Sequence, residues 1–171
     1  MTSPLPIPPE PDEVPSHGRP VVRLKPKAEA RAIRHGFPWV YADELVTDRR
    51  TQGLAPGALA VLEDGERRPM GLVTVNVNSK IIARMLDRDP AAVIDKAGFA
   101  ARIGTALALR ERLYDTPFYR LVHAEADGMP GVVIDRFGDV AVVQPNAAWA
   151  EAHQDDLAAA LQDVSGVATV V

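Results

Sequence analysis

Six cations crowd into one short segment near the start of the chain. Arg19, Arg23, Lys25, Lys27, Arg31 and Arg34 stand against Glu29 alone, a charge of +5 over residues 19–38. Gathered on one face, such side chains neutralise phosphates, and each contact releases counterions and steepens the salt dependence of binding. Arg31 and Arg34, three apart, share a face if residues 27–35 are helical. Lys25 and Lys27, two apart in extended chain, share one as well. A solvated helix rim is the competing account of the same pattern. His35, Trp39 and Tyr41 follow at once, and aromatic side chains stack on unpaired bases. Phe37 and Trp39, flanking Pro38, are nonetheless expected in the core, anchoring the helix, with His35 exposed. Arg84, in a strand expected over 81–86, would extend the basic face in one of two registers. The candidate nucleic-acid-binding set is therefore Arg23, Lys25, Lys27, Arg31, Arg34, His35 and Arg84.

A second constellation, His123, Glu125, Asp127 and Asp135, looks superficially like a metal or acid–base site. Strand alternation would put the first three on one side if the strand runs that far. One histidine with carboxylates is a weak metal signal, and Asp127-Gly128 is ordinary turn chemistry. A structural turn is the expectation, with a role lining a cleft as the alternative. Arg136 is left with three choices: holding Asp127, holding Asp135, or reaching a polyanion. The 171 residues include no cysteine and four scattered histidines, which removes a thiolate nucleophile, a disulfide framework and cysteine-ligated metal sites. No catalytic residue, cofactor-binding residue or metal ligand is expected. The net charge of −4 hides the basic segment between an acidic start and a final third, residues 139–171, that carries five carboxylates and no cation. That acidic third is expected to be a solvated helix face.

These side chains need elements to hold them. Seven of the fifteen prolines fall in the first twenty residues, so residues 1–18 are expected to be a disordered arm. A strand over 20–25, the helix 27–35 stopped by Gly36, and strands over 58–63, 70–77 and 81–86 joined by turn signals make a compact barrel over 19–88. Asp89-Pro90 then reads as the cap and first residue of a helix running to about Leu113. Gly98 and Gly104 cost that helix about 1 kcal/mol each against alanine, so close packing or a bend is expected there. Strands over 119–124, 132–135 and 140–144 make a three-stranded meander, followed by a helix over 146–161 and a strand over 167–171. Residues 89–171 thus form a second, mixed α/β domain. No apolar run is long enough to span a membrane, and the N-terminus lacks a signal pattern, so a cytoplasmic protein is expected. The chain stops inside an apolar strand, GVATVV, an association hazard if left bare, and is expected to be the N-terminal piece of something longer.

Two stretches carry a resemblance. VVRLKPKAEARAIRHGFPWVYADEL and RLVHAEADGMPGVVIDRFGDVAVVQ are similar to the opening and the central motif of bacterial S-adenosylmethionine-dependent 23S rRNA (cytosine-C5) methyltransferases. The resemblance covers residues 20–171 and implies an N-terminal PUA domain that binds RNA, a central mixed α/β domain and a C-terminal Rossmann-like methyltransferase domain. The nucleophilic cysteine and cofactor pocket of that family lie in the third part, and C5 methylation needs a thiolate to attack C6. This chain has no cysteine and no glycine-rich strand-to-helix turn. The resemblance therefore implies an α/β chain, a PUA-like β-barrel and a central domain, that recognises ribosomal RNA. The missing C-terminal domain would be its partner and S-adenosylmethionine a cofactor of the parent only, so the chain alone should be inactive. Whether the parent forms a homodimer stays open. The rival readings are a free-standing RNA-binding module without enzyme activity and a sugar-binding meander, for which no aromatic platform exists.

Overall fold

A computed structural model describes residues 18–171. The proline-rich arm expected over 1–18 lies, apart from Gly18, outside the described residues. The chain forms β1 (Val21–Arg23), α1 (Ala30–Arg34), β2 (Trp39–Tyr41), α2 (Arg49–Gln52), β3 (Ala58–Glu63), β4 (Pro69–Val75) and β5 (Ile81–Asp87). There follow α3 (Lys96–Leu113), β6 (Phe118–His123), β7 (Val132–Phe137), β8 (Val140–Pro145), α4 (Ala148–Glu151), α5 (Gln154–Ser165) and β9 (Thr169–Val170).

The first five strands make one mixed sheet in the order β1-β3-β4-β5-β2, with β1 parallel to β3 and the other pairs antiparallel. Its two edges do not stay open. The chain leaving β1 meets the chain leaving β2: Lys25 N–H donates to the Glu44 carbonyl (2.7 Å), Val46 N–H to the Arg23 carbonyl (2.8 Å), and Leu24 bridges Leu45. Pairing the edges in this way curls the sheet towards a barrel and removes two unpaired backbone rims. Leu24, Ile33, Val40, Leu45, Leu62 and Ile82 fill its interior.

The second sheet, β6-β7-β8-β9, is the expected meander with β9 added parallel to β8. Helices α3 and α5 cover one face, where Phe99, Ile103, Leu121, Ile134, Trp149 and Leu161 are buried. Trp149 stacks on Phe99 with centroids 6.0 Å apart and donates its indole N–H to the Pro130 carbonyl at 2.8 Å. Leu72 and Leu86 of the first sheet belong to this second core, so the two units share a packed seam. At Gly57, φ is +86°, and a Cβ there would lie 2.7 Å from Trp149 N, which is why the turn before β3 can approach α4 so closely.

Several element bounds differ from expectation. Helix α1 starts at Ala30 because residues 26–28 turn, so Lys25 and Lys27 are not neighbours on an extended strand. Helix α3 starts at Lys96, six residues later than a cap at Asp89 would give, because the cap is Asp95, whose carboxylate accepts from Gly98 N–H at 2.8 Å. Asp89 instead accepts from Ala91 N–H (2.8 Å) and holds a turn. Gly104 faces Val164 of α5 at ordinary contact distance, so close packing accounts for it and the helix runs unbroken. The helix expected over 146–161 is two, α4 and α5, and the last strand is only Thr169–Val170.

Candidate nucleic-acid interface

The seven candidate residues divide by what they touch. Arg23 and Glu63 are paired across β1 and β3, and the guanidinium donates to Glu63 Oε2 at 3.1 and 2.8 Å. Arg34 forms an ion pair with buried Asp64. Arg84 donates to Glu125 Oε1 at 2.7 Å and sits 6.0 Å from the Trp39 ring centre. These three cations are already neutralised. Lys25 gives its ammonium to the Asp43 carbonyl (2.8 Å), which leaves its charge in place. Lys27 and Arg31 are exposed and form no ion pair among the described residues. His35 is exposed, its Nδ1 donating to the Arg31 carbonyl at 2.8 Å. The cations without an acidic partner among these seven are therefore Lys25, Lys27 and Arg31, with His35 bonded to the Arg31 backbone, along α1 and the turn before it.

Asp64 explains where Arg34 went. The carboxyl is 2% exposed; burial pushes its pKa up, but N–H groups of Arg68 and Glu66 and the Arg68 guanidinium hold it down at about 2. A buried carboxylate needs that company, and Arg34 completes it.

Next to α1 lies an aromatic cluster. The expectation that Phe37 is core is corrected: it is 40% exposed, and Tyr41 is 38% exposed. Strand β2 is a sheet edge, and alternation along it sends Val40 inward and Trp39 and Tyr41 outward. Phe37 meets Trp39 edge-on at 5.9 Å and Tyr41 at 6.3 Å. Phe37 is also tied to α1, its N–H donating to the Ala32 carbonyl at 3.1 Å. Trp39 is half-buried, but by the second unit and not by the barrel interior.

The cover over Trp39 is the second constellation. Strand β6 stops at His123, and residues Ala124–Asp127 form one 3-10 turn, so His123, Glu125 and Asp127 do not alternate along a strand. Ala124 takes φ +46°, a conformation costly for a side chain with a Cβ, and turns Glu125 towards the barrel. Glu125 Oε1 accepts from Trp39 Nε1–H (2.8 Å) and Arg84 Nη1–H (2.7 Å) together. Burial raises the Glu125 pKa, while the Trp39 indole, the backbone N–H of Glu125 and the Arg84 guanidinium together outweigh it and lower the pKa below its usual value. Asp127 faces the other way, receiving both arms of Arg110 (2.8 and 2.7 Å) and the His123 N–H (2.6 Å). Asp135 is held by Arg120 at 2.9 and 3.0 Å. Arg136 takes neither acid and donates to the Gly138 carbonyl at 3.1 Å. Among the described residues no cluster could hold a metal ion. The turn is a clasp between the two units, a role no local pattern signals.

Residues 22–88 match a family model described as a PUA-like domain. The chain contains a PUA-like domain. Over 144 residues it is 36% identical to a ribosomal RNA large subunit methyltransferase of Deinococcus radiodurans, an alignment covering 79% of this chain and 35% of that protein. It is 35% identical over 139 residues to ribosomal RNA large subunit methyltransferase I of Alteromonas mediterranea, covering 80% of this chain and 34% of the relative. A solved chain from Streptococcus mutans, described as a candidate SAM-dependent methyltransferase, superposes with a TM-score of 0.72 at 15% identity, over 86% of this chain and 38% of its own. That likeness establishes the mixed α/β fold. The homology to large-subunit rRNA methyltransferases runs through both the PUA-like domain and the second unit, and the chain spans about a third of the length of those relatives.

Proposed function

We propose that this chain is the RNA-recognising portion of a large-subunit rRNA methyltransferase, gripping 23S rRNA and presenting it to a catalytic part that lies outside the matched third. The observation that carries this reading is the adjacency on the PUA-like domain of uncompensated cations and exposed aromatics. Lys25, Lys27 and Arg31 supply the phosphate attraction, and Phe37 and Tyr41 offer faces on which unpaired bases stack. The second unit, clasped through Glu125, sets the distance and angle between that grip and the reacting base. Methyl transfer from S-adenosylmethionine, and the cytosine-C5 position that the central-motif resemblance suggests, belong to the rest of such an enzyme. No helix among the described residues is long and apolar enough to cross a membrane.

Fluorescence anisotropy with a 23S rRNA fragment tests the reading. Binding should weaken steeply as salt rises and should be lost in the combined Lys25→Ala, Lys27→Ala, Arg31→Ala variant. Absent or salt-independent binding overturns it.

A further inference from the structure

Where β4 and β5 approach the chain ahead of α4, a polar cleft of about 140 Å³ opens at the seam between the two units. Thr74, Asn76, Ser79 and Arg84 line it from the barrel, and Asn146 and Ala147 from the second unit. Asn146 is exposed and Ser79 half-exposed, so the cleft opens to solvent. Its volume is several times the ~30 Å³ of a water and well short of the roughly 300–1,000 Å³ of pockets for drug-sized ligands. One planar heterocycle suits such a space; a base pair does not.

The polar groups around it have spare capacity. Asn76 uses its carbonyl oxygen on Asn78 N–H (3.1 Å), leaving its NH2 donors. Asn146 spends one amide hydrogen on a long contact to the Gln144 carbonyl (3.4 Å), leaving the other hydrogen and its oxygen. Arg84 uses Nη1 on Glu125, and no other side-chain hydrogen bond from it is found among the described residues. Amides with both donors and acceptors to offer are the groups that recognise the edge of an unstacked base.

Strand register supplies the route. Trp39, Arg84 and Thr74 are direct cross-strand partners over β2, β5 and β4. The exposed ring of Phe37, 5.9 Å from Trp39, therefore begins a row that ends in the cleft, with a guanidinium between. We infer that the cleft receives the base of one unpaired RNA nucleotide, its edge bonded by Asn76, Asn146 and the N–H groups that Arg84 does not spend on Glu125. This inference rests on the RNA-gripping reading and adds a nucleotide-binding site to it.

The test uses the full chain and a short single-stranded oligoribonucleotide carrying one 2-aminopurine, against the same oligomer with an abasic ribose at that position. Seating the base should change the 2-aminopurine emission, and the abasic oligomer should bind about fivefold or more weakly, as loss of a set of base hydrogen bonds implies. Asn146→Ala, at an exposed position, and Asn76→Asp, which keeps the oxygen that accepts from Asn78 N–H but removes the NH2 donors, should erase that preference while circular dichroism stays unchanged. Equal binding of the two oligomers, with silent cleft variants and intact salt dependence, overturns the cleft and leaves the gripping surface standing. If neither oligomer binds at all, both readings are overturned.

Discussion

Trp39 and Glu125 stand 86 positions apart in the chain and are joined by a 2.8 Å hydrogen bond from the indole N–H to the carboxylate. The same oxygen takes Arg84, so one acid of the second unit fastens two strands of the PUA-like sheet. Arg102 of α3 adds a parallel tie, donating to Asp87 at 2.8 Å and to the Leu86 carbonyl at 3.2 Å. These contacts and the shared packing of Leu72 and Leu86 hold the surface formed by α1 and β2 at a set angle to the second sheet.

Glu125→Ala should cost about 1–3 kcal/mol in urea unfolding, because it strands a half-buried guanidinium and an indole N–H. Glu125→Gln, which keeps an acceptor for Trp39, should cost less. The emission of Trp39 should shift to the red in Glu125→Ala, while Trp149, 1% exposed in the second core, keeps its spectrum. An unchanged emission maximum would contradict the clasp.

Asp64 makes stability depend on acid. Its folded pKa of about 2 lies below the ordinary 3.8, so its contribution is fully present above pH 4 and is lost as pH falls from 3.8 through 2. The urea midpoint of the protein should drop over that interval. Asp64→Asn should start lower at neutral pH and show a flatter slope over the same interval; a variant as acid-sensitive as the parent would contradict the assignment.

Cations of the same charge should behave differently because their partners differ. Replacing Lys27 or Arg31 with alanine should reduce the salt slope of RNA binding by about one contact each, with no change in thermal midpoint. Arg23→Ala leaves Glu63 without its partner and Arg34→Ala leaves buried Asp64 with Arg68 as its one remaining cation, so both should lower stability and alter the salt slope little. Titrations at several salt concentrations beside thermal melts distinguish the two classes.

Phe37→Ala should weaken binding to unpaired RNA by about 1–3 kcal/mol, the usual worth of one base stacked on an aromatic ring. The side chain is 40% exposed, so unfolding should be nearly unaffected. A large loss of stability with unchanged RNA affinity would return Phe37 to a packing role.

Alternation and turn chemistry exposed the hairpins β3–β4–β5 and the β6–β7–β8 meander before any coordinates, because a strand's period and its turn residues are local properties. The extra start assigned to α3 had a local cause too: Asp89-Pro90 and Asp95 both look like helix caps, and only packing of Ile94 and Phe99 into the second core selects the later one. Phe37 differs from expectation because it lies in the turn between α1 and β2, where no periodicity marks which way an aromatic beside a proline faces.

Composition and spacing alone determined that positive charge is concentrated around α1, that no thiol chemistry is available, and that two strand-rich units follow one another. Only the tertiary structure decided which cations remain to meet a polyanion. The partners that remove Arg23, Arg34 and Arg84 lie 40, 30 and 41 positions along the chain. The physical reason is distance: helix and strand periodicity relate side chains a few residues apart, whereas a charge is cancelled by whatever the folded chain brings within hydrogen-bond reach.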